Sequence, residues 1–214
     1  MAVYEYCTFR ISRGAWPRLS DAVFNAVDQE TRGSSGSVFL LCAGLIGFAS
    51  DEGVLIRSWP DEATLDRSAT STLSRGGVID EWAVESLTPT VRPLDATPPR
   101  EPGVYAHRRF WLEHEHWDEF QRFSEHGIWP YFESDGCRII GLWRGAAETG
   151  LCKALLVTNY PSVAHWERTR LQSPEPPPGA NAALYRHAQE AGRMRAAITE
   201  RSIVRLTRIM LPRR

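Results

Sequence analysis

The stretch that decides the fold runs from residue 105 to residue 145 and reads YAHRRFWLEHEHWDEFQRFSEHGIWPYFESDGCRIIGLWRG. It starts with the alternation typical of a β-strand and continues with aromatic residues at helical spacing. An Asp135-Gly136 turn then leads into a second strand that ends near Trp143. We therefore predict a β-α-β order for this stretch.

An earlier part of the chain repeats this pattern at a constant offset of 101 residues. A fixed offset over several identities that also fall at the boundaries of predicted elements indicates a tandem duplication. The identical pairs are Tyr4 with Tyr105, Phe9 with Phe110, Trp16 with Trp117, Gly44 with Gly145, Pro60 with Pro161 and Arg67 with Arg168.

The first half predicts the element order β-α-β-β-α-β, because stretches with a period of two alternate with stretches of helical period. The predicted elements are a strand from Val3 to Ile11, a helix capped by Ser12 that carries Trp16, Leu19, Val23 and Val27, a hairpin from Val38 to Trp59, a helix from Pro60 to about Leu73, and a strand between Val78 and Val91.

A proline-rich connector, residues 94–103, separates the two halves. We predict one repeat over residues 1–93 and a second over residues 104–214, with an inserted loop and helix at about 172–200. The inserted helix spans Ala180 to Glu200, and a final strand runs from Ser202 to Leu211. The insertion is a lid, an interface element or a decoration that packs on the outer helices.

Each repeat has the order of a ferredoxin-like unit, in which two helices cover one face of an antiparallel sheet. The other face of each sheet is left open, and two such faces in one chain can close a barrel. We therefore predict an α+β fold of tandem ferredoxin-like repeats that form an intrachain α/β barrel, with an extra helix in the second repeat.

Composition argues against a nucleic-acid-binding protein, a disulfide-bonded secreted protein and a membrane-spanning protein. The formal net charge of -1, from 25 basic and 26 acidic residues, provides no general attraction for nucleic acid. The four cysteines form no CxxC pair and the chain shows no signal-peptide pattern, so we expect buried, reduced thiols in a cytoplasmic protein. The longest apolar run, Val38 to Ala49, is short for a membrane span.

The second half resembles the NIPSNAP family. The resemblance is carried by Tyr105, by His126-Gly127-Ile128-Trp129-Pro130, by Asp135-Gly136, by Gly141-Leu142-Trp143, and by Tyr160-Pro161 with Trp166-Glu167-Arg168; the first half lacks His-Gly-x-x-Pro and Gly-x-Trp. It implies the dimeric α/β-barrel superfamily, whose relatives include cofactor-free monooxygenases, polyketide cyclases, muconolactone isomerases and haem enzymes such as chlorite dismutase. Such a fold does not by itself choose among these activities.

The first strands of the two repeats carry the predicted site. If Phe9 and Phe110 pack under helices, the alternate side chains turn toward the barrel interior. That inward set is Tyr4, Tyr6, Thr8, Arg10, Tyr105, His107, Arg109 and Trp111. A register error of one residue would turn all of them outward.

Three of these residues have predicted catalytic roles. His107 is a candidate general base, Arg109 a cation that can hold an enolate or a carboxylate, and Tyr105 a donor to a developing oxyanion. The predicted substrate contacts are Tyr4, Tyr6, Arg10, Trp111 and Trp143.

The other histidines are weaker candidates for catalytic or metal-binding residues. His114 and His116 are two residues apart at a helix start and lack the spacing of four that places two ligands on one helix face, so we predict a solvated first turn and no metal. His126 precedes Gly127 at a predicted helix end, where a cap or a core contact is the commoner role.

Two classes of function remain open. The first is an enzyme without a cofactor that performs cyclisation, isomerisation or oxygenation on an apolar or aromatic small molecule, with haem ligated by a histidine as a subsidiary variant. The second is a non-catalytic binding or assembly protein whose barrel is filled by its own aromatic side chains. The expected partner is a small molecule rather than nucleic acid or a membrane, and the sequence leaves open whether the chain forms a homodimer.

Overall fold

The computed structural model describes residues 2–11, 36–68 and 79–210. The predicted helix from Ser12 through Val27 lies outside these residues. The strands are β1 (Val3–Ile11), β2 (Ser37–Ile46), β3 (Glu52–Trp59), β4 (Ile79–Arg92), β5 (Val104–Leu112), β6 (Arg138–Glu148), β7 (Leu151–Tyr160) and β8 (Arg201–Ile209). The α-helices are α1 (Glu62–Ser68), α2 (Trp117–Arg122), α3 (Trp129–Ser134), α4 (Val163–Arg168) and α5 (Ala182–Ala197).

The eight strands form one closed barrel in the order β1-β3-β2-β8-β5-β7-β6-β4. Within each half the order is that of a ferredoxin-like sheet, and the two sheets meet at two seams, β2 with β8 and β4 with β6. All pairs are antiparallel, including β5 with β7 and β8 on its two sides. The predicted α+β barrel is therefore confirmed, and the final strand pairs on both sides, with β2 and with β5.

Side chains of the barrel alternate between two apolar clusters, as strand geometry requires. The inner cluster contains Tyr4, Tyr6 and Tyr105 from the two first strands, together with Phe39 and Trp143. The outer cluster of the second half contains Phe110 and Leu112, which pack under the helices. The predicted register of β1 and β5 is thus the observed one.

A single continuous helical stretch follows β5, without a break at His126 and Gly127. A short 3₁₀ turn (His114–His116) leads into α2, and a π-helical segment (Phe123–Ile128) joins α2 directly to α3. The prediction that His126 and Gly127 end a helix is wrong, because the π-helical segment lets the chain continue to Ser134.

Gly127 is needed for packing rather than for a turn. A Cβ atom at this position would lie 2.2 Å from the Cβ atom of Ala191 in α5. The backbone of the π-helical segment can approach α5 closely only because residue 127 has no side chain. The inserted helix is therefore fastened to the outer layer of the second half.

The remaining expectations concern element ends, thiols and membrane spans. In the described part of the chain α1 ends at Ser68, and residues 69–78 lie outside it. All four cysteines are buried free thiols, as expected. Among residues 2–11, 36–68 and 79–210, no helix combines the length and the apolar character that crossing a bilayer requires.

Candidate functional site

Three of the predicted site residues meet at the centre of the barrel. Tyr6 of β1 and His107 of β5 lie edge to face, with ring centroids 5.6 Å apart. The guanidinium of Arg109 stands over the Tyr6 ring, 4.5 Å from its centroid. The two first strands therefore bring an imidazole, a phenol and a guanidinium together, although the strands are not neighbours in the sheet.

His107 is held by Thr207 on the adjacent strand β8. Its Nε2 lies 2.9 Å from Thr207 Oγ1, and the Thr207 hydroxyl donates to the carbonyl of Tyr105 at 3.3 Å. Because that hydroxyl proton is already used, the Thr207 oxygen accepts from Nε2–H. His107 Nδ1 is buried and has no partner among the described residues, so it faces the barrel as a bare acceptor.

The imidazole of His107 is neutral over the whole physiological range. Burial, followed by the positive charge of Arg109, lowers its pKa from 6.5 to about 3. Both causes act against the imidazolium, one by removing water and the other by repulsion. A proton taken up at Nδ1 would need a nearby negative charge to offset it.

An ionic cluster lies between this centre and one mouth of the barrel. Glu85 of β4 accepts a hydrogen bond from Arg109 and lies 2.8 Å from the ammonium of Lys153 on β7. Lys153 also lies 3.2 Å from Glu148 at the end of β6. Arg109, Glu85 and Lys153 have side chains that are 23%, 16% and 18% exposed, so this end of the interior is open to water.

The predicted residues Tyr4, Tyr105 and Trp143 lie at the opposite end. The Tyr4 hydroxyl donates to the carbonyl of Asp95 at 3.3 Å, and the Tyr105 hydroxyl donates to the carbonyl of Glu101 at 2.8 Å. Trp143 packs edge to face against Tyr4 and Phe39. These aromatic side chains fill the end of the barrel that the connector covers, and their hydroxyl groups are engaged by it.

Arg10 and Trp111 lie near the open mouth. Arg10 is ion-paired with Asp51 at 2.9 Å, and its side chain is 40% exposed. The indole N–H of Trp111 donates to Glu148 at 3.2 Å, and Arg201 stands over its ring. Neither side chain contacts His107 in these interactions.

Three residues of the central network were not predicted. Glu85, Lys153 and Thr207 lie on β4, β7 and β8, and no local sequence pattern fixes the register of these strands against β1 and β5. A signal was present for Thr207, because Ile203, Arg205 and Thr207 alternate with apolar residues in the last strand. Lys153 is similarly the charged member of an inward-facing alternation that continues with Leu155 and Val157.

The grouping of Glu113, Glu115 and His116 lies at the protein surface. Their ligand atoms come within 4.8 Å of one another, and both glutamates are exposed. His116 also lies 3.5 Å from Glu119, one helical turn on. The arrangement matches the solvated helix start that the sequence predicts, and the expected absence of a metal stays a prediction.

A histidine-ligated haem does not fit the described cavities. The described part of the chain contains all six histidines, and none lines any of the four described cavities. His107 is buried against Tyr6 and Thr207, whereas His114, His126 and His187 are exposed. The described cavities therefore offer no histidine that could ligate a haem iron.

Comparison with solved structures shows the fold. An anthrone oxidase-like protein superposes with a TM-score of 0.64 at 13% identity, covering 98% of this chain and 92% of its own. A candidate monooxygenase from Lactobacillus acidophilus gives a TM-score of 0.60 at 8% identity, covering 98% and 94%. A variant of the chlorite dismutase from Candidatus Nitrospira defluvii gives 0.54 at 10% identity, covering 99% and 92%.

No family profile matches the sequence, and no curated protein matches it significantly. The chain thus has the α/β-barrel fold of these structures, at identities too low to carry over an activity.

Proposed function

We propose that this protein is a small-molecule enzyme that uses acid–base chemistry inside the barrel, without a resident cofactor, on an apolar or aromatic substrate. The observation that carries the proposal is a path of contacting side chains, Thr207–His107–Tyr6–Arg109–Glu85, which runs from the barrel centre to the open mouth. Hydrogen bonds form its two end links, and contacts of the Tyr6 ring form the two links between them. Buried polar groups in an otherwise apolar interior cost stability, so such a path indicates a function.

His107 and Arg109 would divide the chemistry between them. The unpartnered Nδ1 of His107 can accept a proton from a carbon acid or a phenol, while Nε2–H stays bound to Thr207. The enolate that forms would lie against Arg109, whose guanidinium offsets its charge. The same enolate would compensate the imidazolium, which burial and the charge of Arg109 disfavour in the free protein.

The proposed reaction is oxygenation of a reduced aromatic ring system. A ring CH₂ group loses a proton to His107, and the resulting carbanion reduces molecular oxygen, so that a ring C=O and one water are the products. The anthrone oxidase-like and monooxygenase-like structural neighbours support this choice of reaction. Cyclisation and isomerisation begin with the same proton transfer and are the alternatives. Membership of the NIPSNAP family would be compatible with each of them.

Oxygen uptake tests the proposal. With a panel of anthrones and cyclic β-dicarbonyl compounds, which all contain an acidic ring CH₂ group, we expect oxygen consumption that matches ketone formation for at least one member. His107→Gln should lower kcat by about 100-fold or more, the usual contribution of a positioned base. His126→Gln, at an exposed position, is the matched control. The proposal fails if no panel member reacts faster than in buffer, or if His107→Gln keeps its activity.

A binding or assembly protein is the second candidate, and the filled end of the barrel favours it. Tyr4, Phe39 and Trp143 pack against one another in the space under the connector. This candidate predicts no turnover of any panel member, and it predicts that His107→Gln changes the melting temperature. An absorption spectrum of the purified protein tests the remaining haem variant, which requires a Soret band.

A further inference from the structure

A cavity outside the barrel lies between the second sheet and the inserted helix α5. Its volume is ≈ 510 Å³, within the range of small-molecule sites. The sheet contributes Arg108 of β5 and Tyr160 of β7, and α5 contributes Gly192, Arg195 and Ala196. The cavity is therefore a separate site from the interior of the barrel, on the opposite face of the same strands.

Arg195 brings a buried positive charge to this cavity. The residue is 7% exposed, and the one described hydrogen bond of its side chain runs from Nη1 to the hydroxyl of Ser124 at 3.0 Å. Its guanidinium also stands over the rings of Phe110 and Phe120, at 4.9 and 5.5 Å. Hydroxyl and aromatic contacts orient a guanidinium but do not neutralise it.

Arg108 adds a second cation that has no carboxylate partner among the described residues. It lines the same cavity as Arg195, and no aspartate or glutamate lines that cavity. Arg170 at the rim is 3.9 Å from Glu167, and Glu200 lies in an adjoining cavity of ≈ 390 Å³ without a described ion pair to the half-buried Arg108 or the buried Arg195. Burial and the charge of Arg108 both lower the pKa of Arg195, as expected for two cations that no anion separates.

A buried charge without a counterion is costly, and a bound anion removes that cost. The guanidinium fork matches the planar geometry of a carboxylate. Part of the lining is suited to an apolar body, because Phe132, Trp166, Leu171 and Val204 also face the cavity, beside the polar side chains of Thr169, Gln172, Gln189 and Ser202. An inorganic anion would fill only a small part of ≈ 510 Å³.

We propose that this cavity binds a small organic carboxylate, with its anionic head between Arg108 and Arg195 and its apolar body against Trp166 and Phe132. The proposal does not depend on chemistry inside the barrel. The inserted helix thereby acquires a role as one wall of a ligand site.

Binding of 2-naphthoate, followed by calorimetry and by tryptophan fluorescence, tests the proposal. We expect saturable binding of 2-naphthoate and binding of the neutral 2-naphthylmethanol that is weaker by at least about tenfold. The carboxylate should also raise the melting temperature, because it binds only the folded protein. Equal binding of the two compounds, or no binding of either, would overturn the proposal.

Variants of the two arginines locate the site. Arg195→Met and Arg108→Met should each weaken 2-naphthoate binding by at least about tenfold. Arg186→Met, at an exposed position of α5 that does not line the cavity, should bind like the wild type. Retained affinity in both cavity variants would contradict the assignment.

Two further measurements separate the proposal from its alternatives. If Arg195 is only structural, Arg195→Met should lower the melting temperature of the free protein, whereas loss of an uncompensated charge should leave it unchanged or raise it. If Arg195→Met does not fold, Arg108→Met carries the same binding comparison, because the side chain of Arg108 makes no described hydrogen bond that the substitution would break. Inorganic phosphate that binds as tightly as 2-naphthoate would identify an inorganic anion site and overturn the organic ligand.

Discussion

His107 shows how a single buried residue links the barrel interior to pH. Its environment favours the neutral imidazole, so the unfolded chain takes up a proton at a higher pH than the folded chain does. This difference in proton uptake means that acid destabilises the folded protein. The contribution of His107 to stability is complete above pH 6.5 and is lost as the pH falls toward 3.

We expect this loss to be measurable in the free energy of unfolding. Between about pH 6.5 and pH 4.5, His107 should remove roughly 2–3 kcal/mol, since one pKa unit corresponds to about 1.4 kcal/mol. His107→Gln should reduce the loss over that interval by this amount in denaturant titrations. His126→Gln, whose side chain is exposed, should show the wild-type dependence. An unchanged slope in His107→Gln would mean that the imidazole is not buried in solution.

At the scale of elements, the contact between the π-helical segment and α5 sets the position of the inserted helix. Gly127→Ala should destabilise the protein by about 1–3 kcal/mol through overpacking, although alanine is the better helix former. The reason is the 2.2 Å approach of the added Cβ atom to Ala191. Thermal unfolding would measure the change.

Two companion variants make the Gly127 experiment specific. The double variant Gly127→Ala/Ala191→Gly should lose less free energy of unfolding than the two single variants lose together, because the Cβ atom of Ala191 that would clash is absent. Gly192→Ala places its new Cβ atom 3.5 Å from Leu171, an ordinary contact, and should stabilise α5 by about 1 kcal/mol. If the losses of unfolding free energy from Gly127→Ala and Ala191→Gly were additive, the π-helical segment and α5 would not be in contact at these two residues.

Regular periodicity made most elements predictable, whereas features that depend on three-dimensional contacts were not. Alternation in Val3–Ile11 and Val104–Leu112 correctly gave the inward set, because one face of each strand packs under an apolar layer. The His126-Gly127 pair was misinterpreted as a helix end, since glycine usually stops a helix and nothing local reveals that Ala191 will lie against it. Glu85 was missed because pairing with Arg109 and Lys153 involves strands far apart in sequence.

At the scale of the molecule, the two halves hold each other through the two seams. We predict that a chain cut by a protease at a cleavage sequence inserted at exposed Thr97 remains assembled. The fragments should co-elute in gel filtration at the intact size, because β2–β8 and β4–β6 pairing survives the cut. The melting temperature should fall and become concentration-dependent, since the connection no longer supplies a high effective concentration.

The uncut protein with the same insertion is the control for this experiment. Separation of the two fragments without denaturant would show that the halves fold as independent domains. Such a result would also favour the predicted boundaries of residues 1–93 and 104–214 as limits of autonomous units.

The Tyr6–His107 contact has a consequence for symmetry. The two residues occupy equivalent positions of the two repeats, 101 residues apart, so they face each other near a pseudo-two-fold axis. A barrel built from two identical subunits would be obliged to place two histidines or two tyrosines there. Fusion of the repeats into one chain removes that obligation. It allows unlike groups, a phenol and an imidazole, to meet on the axis and evolve separately.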